Sequence, residues 1–121
     1  MKDYKELISW QKAMLLAMEI YKLTEMLPRE ERFGLSDQLR RACVSVPSNI
    51  AEGVSRISDK EKAHFIEISY GSLLEVLCQM EISNELGYIT VDQYQEIEVK
   101  VERLSKLLSS LRHKYLTRNN N

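Results

Sequence analysis

The chain has 121 residues, 44% of them hydrophobic and 29% charged, with a formal net charge of −1. That length supports one domain around a single core, and four glycines and two prolines are too few for a fold of many turns and short strands. The longest apolar run, Ala13 to Met18, falls far below the ~20 residues of a membrane-spanning helix. The charged start, MKDYKELISW, has no apolar run of signal-peptide type, so a cytoplasmic protein is expected.

The first predicted helix covers about residues 4–27, opening after Asp3, with Glu6 completing a capping box, or after Ser9. It carries two apolar stripes. One is Ala13, Leu16, Ile20, Leu23 and Leu27; beside it run Leu7, Trp10, Met14, Ala17 and Tyr21. One stripe suffices for a helix with one buried face. Pro28 ends the pattern, and Gly34 can supply a positive φ.

The second helix is predicted over about 36–55. Its apolar face is Leu35, Leu39, Ala42, Val46, Ile50, Gly53 and Ile57, at spacings of four and three. Pro47 interrupts it: the ring has no N–H for the Cys43 carbonyl and crowds it, so a kink is expected. Ser58 with Glu61 forms a capping box for a third helix over 59–86, through Ile66, Tyr70, Leu73, Leu77 and Met80, with Gly87 as its left-handed terminator and Ile89 as the accompanying apolar contact. Thr90 with Gln93 caps the fourth, over 91–116, where Tyr94, Ile97, Val101, Leu104, Leu108, Leu111 and Tyr115 alternate by three and four. From Arg118 the tail is polar, and fraying is expected there. Short connections between long helices favour antiparallel neighbours, so the fold is read as an all-α, up-down-up-down four-helix bundle.

The third helix also carries Phe65, Ile68, Leu74, Val76, Cys78 and Ile82 outside its main stripe. With the second stripe of the first helix, this exceeds what a four-helix monomer can bury. A homo-oligomer is expected, with Met14, Tyr21, Phe65, Ile68, Leu74 and Cys78 at the contact, and Ser69, Gly71 and Ser72 allowing another helix close approach.

Catalytic and metal motifs are scarce. Glu61 and His64 have the Glu-x-x-His spacing of di-iron bundles, but such sites need two pairs and two further carboxylates; His113 has Ser110 at the matching position. No Gly-rich phosphate loop, nucleophile elbow or His-Glu-x-x-His motif is present. Cys43 and Cys78 fall on helical faces, outside any CxxC pair, and read as buried apolar residues. No metal, no cofactor and no enzymatic activity are expected.

Arg41, Ser45, Asn49, Glu52 and Arg56 make a polar stripe on the second helix, with Glu52 and Arg56 as an i,i+4 pair. It reads either as a solvated face or as a polar network at a subunit contact or ligand groove, where Gly53 permits close approach. Charge is segregated as well. Seven acids and no lysine or arginine lie between Phe65 and Val99, whereas six bases and one acid lie from Lys100 to Arg118. The antiparallel topology puts Glu75 opposite Arg103 and Glu67 within reach of Lys106 and Lys114. It also gathers Lys2, Lys5, Arg56, Lys60, Lys62, Arg112, Lys114, Arg118 and both histidines at one end, against Asp3, Glu6, Glu52, Asp59 and Glu61. Arg56, Lys60, Lys62, Arg112, Lys114 and Arg118 are the candidate nucleic-acid contacts.

The elements W-Q-K-A at Trp10–Ala13, I-Y-K-L-T at Ile20–Thr24, Q-L-R-R-A at Gln38–Ala42, S-N-I-A-E-G at Ser48–Gly53, G-S-L-L-E at Gly71–Glu75 and L-G-Y-I at Leu86–Ile89 resemble those of the four-helix-bundle, 23S rRNA intervening-sequence proteins. The match runs in order along almost the whole chain. The resemblance implies a closed bundle assembling as a homopentamer, with no known catalytic activity. A related branch, the accessory protein of diversity-generating retroelements, works with a reverse transcriptase and binds nucleic acid. That branch is strongly basic, whereas a pentamer of this chain would carry five times −1, or −5, which opposes non-specific attraction to phosphate. The expected function is therefore a non-enzymatic oligomeric adaptor, associated with a nucleic-acid enzyme or ribonucleoprotein through local RNA or DNA contact; the alternative is a purely protein-binding scaffold.

Overall fold

The computed structural model describes residues 3–118, apart from the Asp3 side chain. Four helices, α1 (Ile8–Thr24), α2 (Leu35–Val54), α3 (Asp59–Glu85) and α4 (Val91–Arg118), carry the fold, with short 3-10 turns at Asp3–Glu6 and Arg29–Glu31 and no strand among the described residues. None of these helices is long and apolar enough to cross a membrane. Lys2 lies outside the described residues, as does the tail beyond Arg118.

Consecutive helices run antiparallel. Arg112 near the end of α4 pairs with Glu67 near the start of α3, and Lys100 of α4 pairs with Glu19 of α1. The core is built from the stripes in the sequence: Ala13, Leu16 and Ile20 of α1; Leu39, Val46 and Ile50 of α2; Ile66, Leu73 and Met80 of α3; and Ile97, Val101, Leu104 and Leu108 of α4. Val76, expected outside the main stripe of α3, is fully buried. Ile57 is the opposite case. α2 has already ended at Val54, and Ile57 stands in the connection 99% exposed.

The helix ends follow local chemistry. Thr90 and Gln93 form both halves of a capping box: the Thr90 N–H donates to Gln93 Oε1 at 2.9 Å, and the Gln93 N–H to Thr90 Oγ1 at 3.1 Å. At Ser58 only the serine half is made, accepting from the Glu61 N–H at 3.1 Å. Gly87 has φ 78°, its N–H donates to the Asn84 carbonyl, and the Tyr88 N–H donates to that of Ser83, a Schellman termination. Gly34, by contrast, has φ −111°. There Glu31 does the capping, accepting from the Leu35 N–H through one oxygen and from the Tyr88 hydroxyl through the other, each at 3.1 Å. Ser9 is buried within the first turn of α1, and Leu7 occupies the cap position without a side-chain bond.

α2 runs through Pro47 as one continuous helix. Next to it, the Val46 carbonyl accepts a hydrogen bond from the fully buried Ser69 of α3 at 2.8 Å. α2 and α3 make the most extensive pairing in the bundle, and α1 meets α4 least among adjacent helices. The small residues explain the first. A Cβ on Gly53 would lie 2.9 Å from Phe65 Cβ and 3.3 Å from the Lys62 carbonyl. Ser69 and Ser72 therefore serve contact within the chain, not approach by another subunit; Ser72 and Ser45 share a 2.7 Å hydrogen bond. Gly71 instead faces open space.

The two helical glycines should respond with opposite sign. Gly53→Ala is expected to lower unfolding stability by about 1–3 kcal/mol through overpacking. Gly71→Ala should leave it unchanged or raise it by up to ~1 kcal/mol through helix propensity. Urea unfolding of both variants, each compared with the parent, checks the pair.

Candidate functional site

The apolar surplus resolves into two faces of unlike shape. Beside the α1–α2 seam, Met14, Met18 and Tyr21 of α1 and Val44 of α2 stay exposed. With Trp10, Ala17, Pro47, Ser48 and Ala51 they line an open groove of about 670 Å3. Its floor is low because alanine, serine and proline supply little bulk, while the aromatic residues stand as walls. Tyr21 is held by the Arg40 guanidinium, 4.7 Å from its ring centroid; Arg40 is itself fixed by a 2.9 Å bond from Nε to Thr24 Oγ1. Trp10 is braced at 5.2 Å by the edge-on ring of Tyr4.

On the outer face of α3, Ile68, Leu74, Cys78 and Ile82 are exposed, sharing that face with Gly71 and the exposed Glu67 and Glu75. This face is a ridge. Five of the six side chains expected at an oligomer contact thus lie on the surface: Met14 and Tyr21 in the groove, and Ile68, Leu74 and Cys78 on the ridge. Phe65 differs, being half-buried against α2 with the Arg56 guanidinium 4.5 Å from its centroid. The α2 side of the groove was not singled out from sequence, although Val44, Pro47, Ser48 and Ala51 follow the i, i+3, i+4, i+7 pattern of a second helical face. The Arg40–Thr24 brace had no such signal.

The polar stripe of α2 divides. Ser45 and Asn49 are half-buried in the α2–α3 seam, where Asn49 Nδ2 donates to the Ser45 carbonyl at 2.8 Å and to its hydroxyl at 2.9 Å. Further along the seam, the buried Gln79 donates to Glu75 at 3.1 Å. Arg41, Glu52 and Arg56 are exposed. Arg41 approaches Asp37 at 3.8 Å, and Arg56 lies over Phe65 in place of the expected pair with Glu52. Gly53 likewise serves the packing of α2 on α3 rather than a groove.

The basic cluster is largely engaged. Arg112 pairs with Glu67 at 3.3 Å. Arg118 grips Asp59 through two nitrogens, Nε at 3.1 Å, so this first residue of the tail expected to fray is anchored, while residues 119–121 lie outside the described residues. Lys62 and Arg118 both sit over the Tyr115 ring. Lys60 and Lys114 are exposed and make no ion pair among the described residues. The expected pairing of Arg103 with Glu75 is not formed: Arg103 faces α1, and Lys106 pairs within its own helix with Glu102 at 3.6 Å.

Glu61 and His64 are exposed, and the described residues contain no group of three or more potential metal ligands. Cys43 is buried, and burial pushes its thiol up to about 11, so the nucleophilic thiolate is scarce near neutral pH. Cys78, also expected to be buried, is exposed.

A sequence model of the family described as 23S rRNA-intervening sequence protein matches residues 5–110. Among solved structures, a protein of unknown function from the S23 ribosomal protein family of Bacteroides thetaiotaomicron VPI-5482 superposes with a TM-score of 0.80 at 25% identity, covering 87% of this chain and 98% of that one. No curated protein matches the chain.

The Arg118 hydrogen bond holds the Asp59 carboxyl below the usual carboxylate range. A lowered folded-state pKa stabilises above the unfolded value and is lost as pH falls through the folded value. Protection factors of the α4 C-terminal amides should therefore drop only below about pH 4. Asp59→Asn should abolish that acid-dependent step, as hydrogen exchange followed by NMR can establish.

Proposed function

This chain belongs to the 23S rRNA-intervening sequence protein family, and from that premise we propose that it is a cytoplasmic, non-enzymatic homo-oligomeric adaptor. In this reading the α3 ridge of one copy seats in the α1–α2 groove of the next. The observation that carries it is the coexistence of an apolar groove and an apolar ridge on different helices of one chain. A concave face matched to a different, convex face makes a heterologous contact, and such contacts generate rings when the rotation between copies closes. A pentamer, the number implied by the family resemblance, is one such ring. Charge supports the same pairing: Glu81 and Glu85 lie at one end of the ridge, and Lys22 lines the groove at the same end of the bundle. Burial and a raised pKa make the Cys43 thiol a poor nucleophile.

Leu74→Glu on the ridge and Met14→Glu in the groove should each convert the assembly to monomer at micromolar concentration, while far-UV circular dichroism stays that of a helical bundle. Sedimentation velocity reads the outcome; a parent protein that sediments as a monomer would remove the proposal. Cys78 gives an independent readout. Its alkylation should be slow in the assembly and fast in either variant.

A second reading adds RNA or DNA contact at the end where the α2–α3 connection meets the C-terminal turn, and through it association with a nucleic-acid enzyme. Lys60 and Lys114 favour it, because their charges are exposed and uncommitted to ion pairs among the described residues. If both touch phosphate in single-stranded nucleic acid, Lys60→Gln with Lys114→Gln should reduce the log–log salt slope by about 1.4 per chain engaged. An unchanged slope, or no binding by the parent at low salt, leaves the protein-binding scaffold.

A further inference from the structure

Between α1 and α4 lies a cleft of about 440 Å3 that neither the groove, the ridge nor the basic end uses. It exists because α1 meets α4 least among the adjacent helices. Leu16 and Leu104 form its floor and are buried, at 4% and 1% exposure. Leu15, which stands 59% exposed, and the half-buried Leu107 form its lips.

The polar lining is cationic. Four bases and one acid border the cleft, and the acid is already used: Glu19 takes Lys100 at 2.7 Å through both oxygens. That bond raises the Lys100 pKa, keeps the ammonium charged and ties α1 to α4 at one end of the cleft. Lys106 leans on Glu102 at 3.6 Å. Lys12 and Arg103 remain, one from each helix, with no ion pair among the described residues. Leu107 also borders a second cavity, of about 360 Å3, lined by Ile8 and Leu111 together with Glu6 and Lys114.

We propose that the α1–α4 cleft binds a single-chain anionic amphiphile, such as a long-chain carboxylate, with its alkyl chain on Leu16 and Leu104 and its head group against Lys12 and Arg103. Volume, apolar floor and a few convergent charged groups are those of a small-molecule site. Leu107 borders both cavities, which offers a linear chain more apolar surface than a compact ring could cover. The depth of the floor leucines below the lips favours an occupant of methylene width, since an acidic helix would ride on Leu15 and leave the floor empty. An alkyl chain there replaces exposed apolar surface on both partners, and the head group supplies the charge that the cleft lacks. This inference does not depend on the assembly reading.

The full chain, titrated calorimetrically below the critical micelle concentration, provides the test. Dodecanoate should bind saturably at one per chain, and decanoate about tenfold more weakly, as two fewer buried methylenes require. Dodecyltrimethylammonium should bind at least tenfold more weakly than dodecanoate. Arg103→Gln combined with Lys12→Gln should weaken dodecanoate about tenfold or more. Met14→Glu, in the other groove, should leave it unchanged whether or not the oligomer survives. Should the glutamine pair reduce the thermal midpoint, the head-group comparison on the parent protein still decides. Equal affinity for the cationic and anionic detergents, absence of saturable binding, or loss of binding in Met14→Glu would overturn the proposal. So would an acidic amphipathic peptide that binds the cleft when dodecanoate does not, which would assign it to a protein partner.

Discussion

The absence of a β-carbon at residue 53 sets the spacing on which the rest of the bundle depends. With only hydrogen there, α2 can approach the Lys62 carbonyl and Phe65 at the start of α3. Ser45, Ser69 and Ser72 then satisfy polar groups in the narrow seam above. A close seam of this kind forfeits the apolar burial that larger side chains would bring. It recovers stability through dispersion and through hydrogen bonds in a low-dielectric setting. It also commits α3: with one flank pressed on α2 and another on α4, its remaining surface faces outward carrying Ile68, Leu74, Cys78 and Ile82.

The bundle is correspondingly asymmetric. Where α2 and α3 meet, small residues draw the backbones together. Where α1 meets α2, small residues on the outer side of the seam leave a trough between aromatic walls. Small side chains thus serve closure in one place and concavity in another, the difference being whether the opposing helix is near enough to fill the space. The long side chains of Lys100 and Glu19 span the loosest seam, where leucines alone do not close the gap.

Much of this was legible in the sequence, and the part that was not has a common cause. The unbroken stripe of α4, the reciprocal Thr90–Gln93 cap and the terminator at Gly87 are local patterns, each complete within a few residues, and each is realised. Ile57 continued the spacing of α2 beyond the point where the chain leaves the helix, because periodicity carries no stop signal of its own. Glu52 and Arg56 have favourable spacing, yet the guanidinium found a better surface on Phe65, from another helix. Likewise Ser69 and Ser72 looked like a docking surface for a foreign helix and proved to receive a native one. For the candidate interaction surfaces, the α1 and α3 residues were visible as an excess of apolar positions. What sequence alone did not convey was shape: that one excess is a groove and the other a ridge follows from which neighbours lie beside them.

Unequal seams imply unequal mechanical coupling. α2, α3 and α4 share the two extensive interfaces, whereas α1 is tied to this triad chiefly along α2, with the Glu19–Lys100 pair as its clasp to α4. Segments held by fewer apolar contacts open at lower free energy than the global unfolding transition. α1 should accordingly open at lower free energy than the other three helices. Such opening would widen the α1–α4 cleft first, since that seam is the looser of the two that α1 makes.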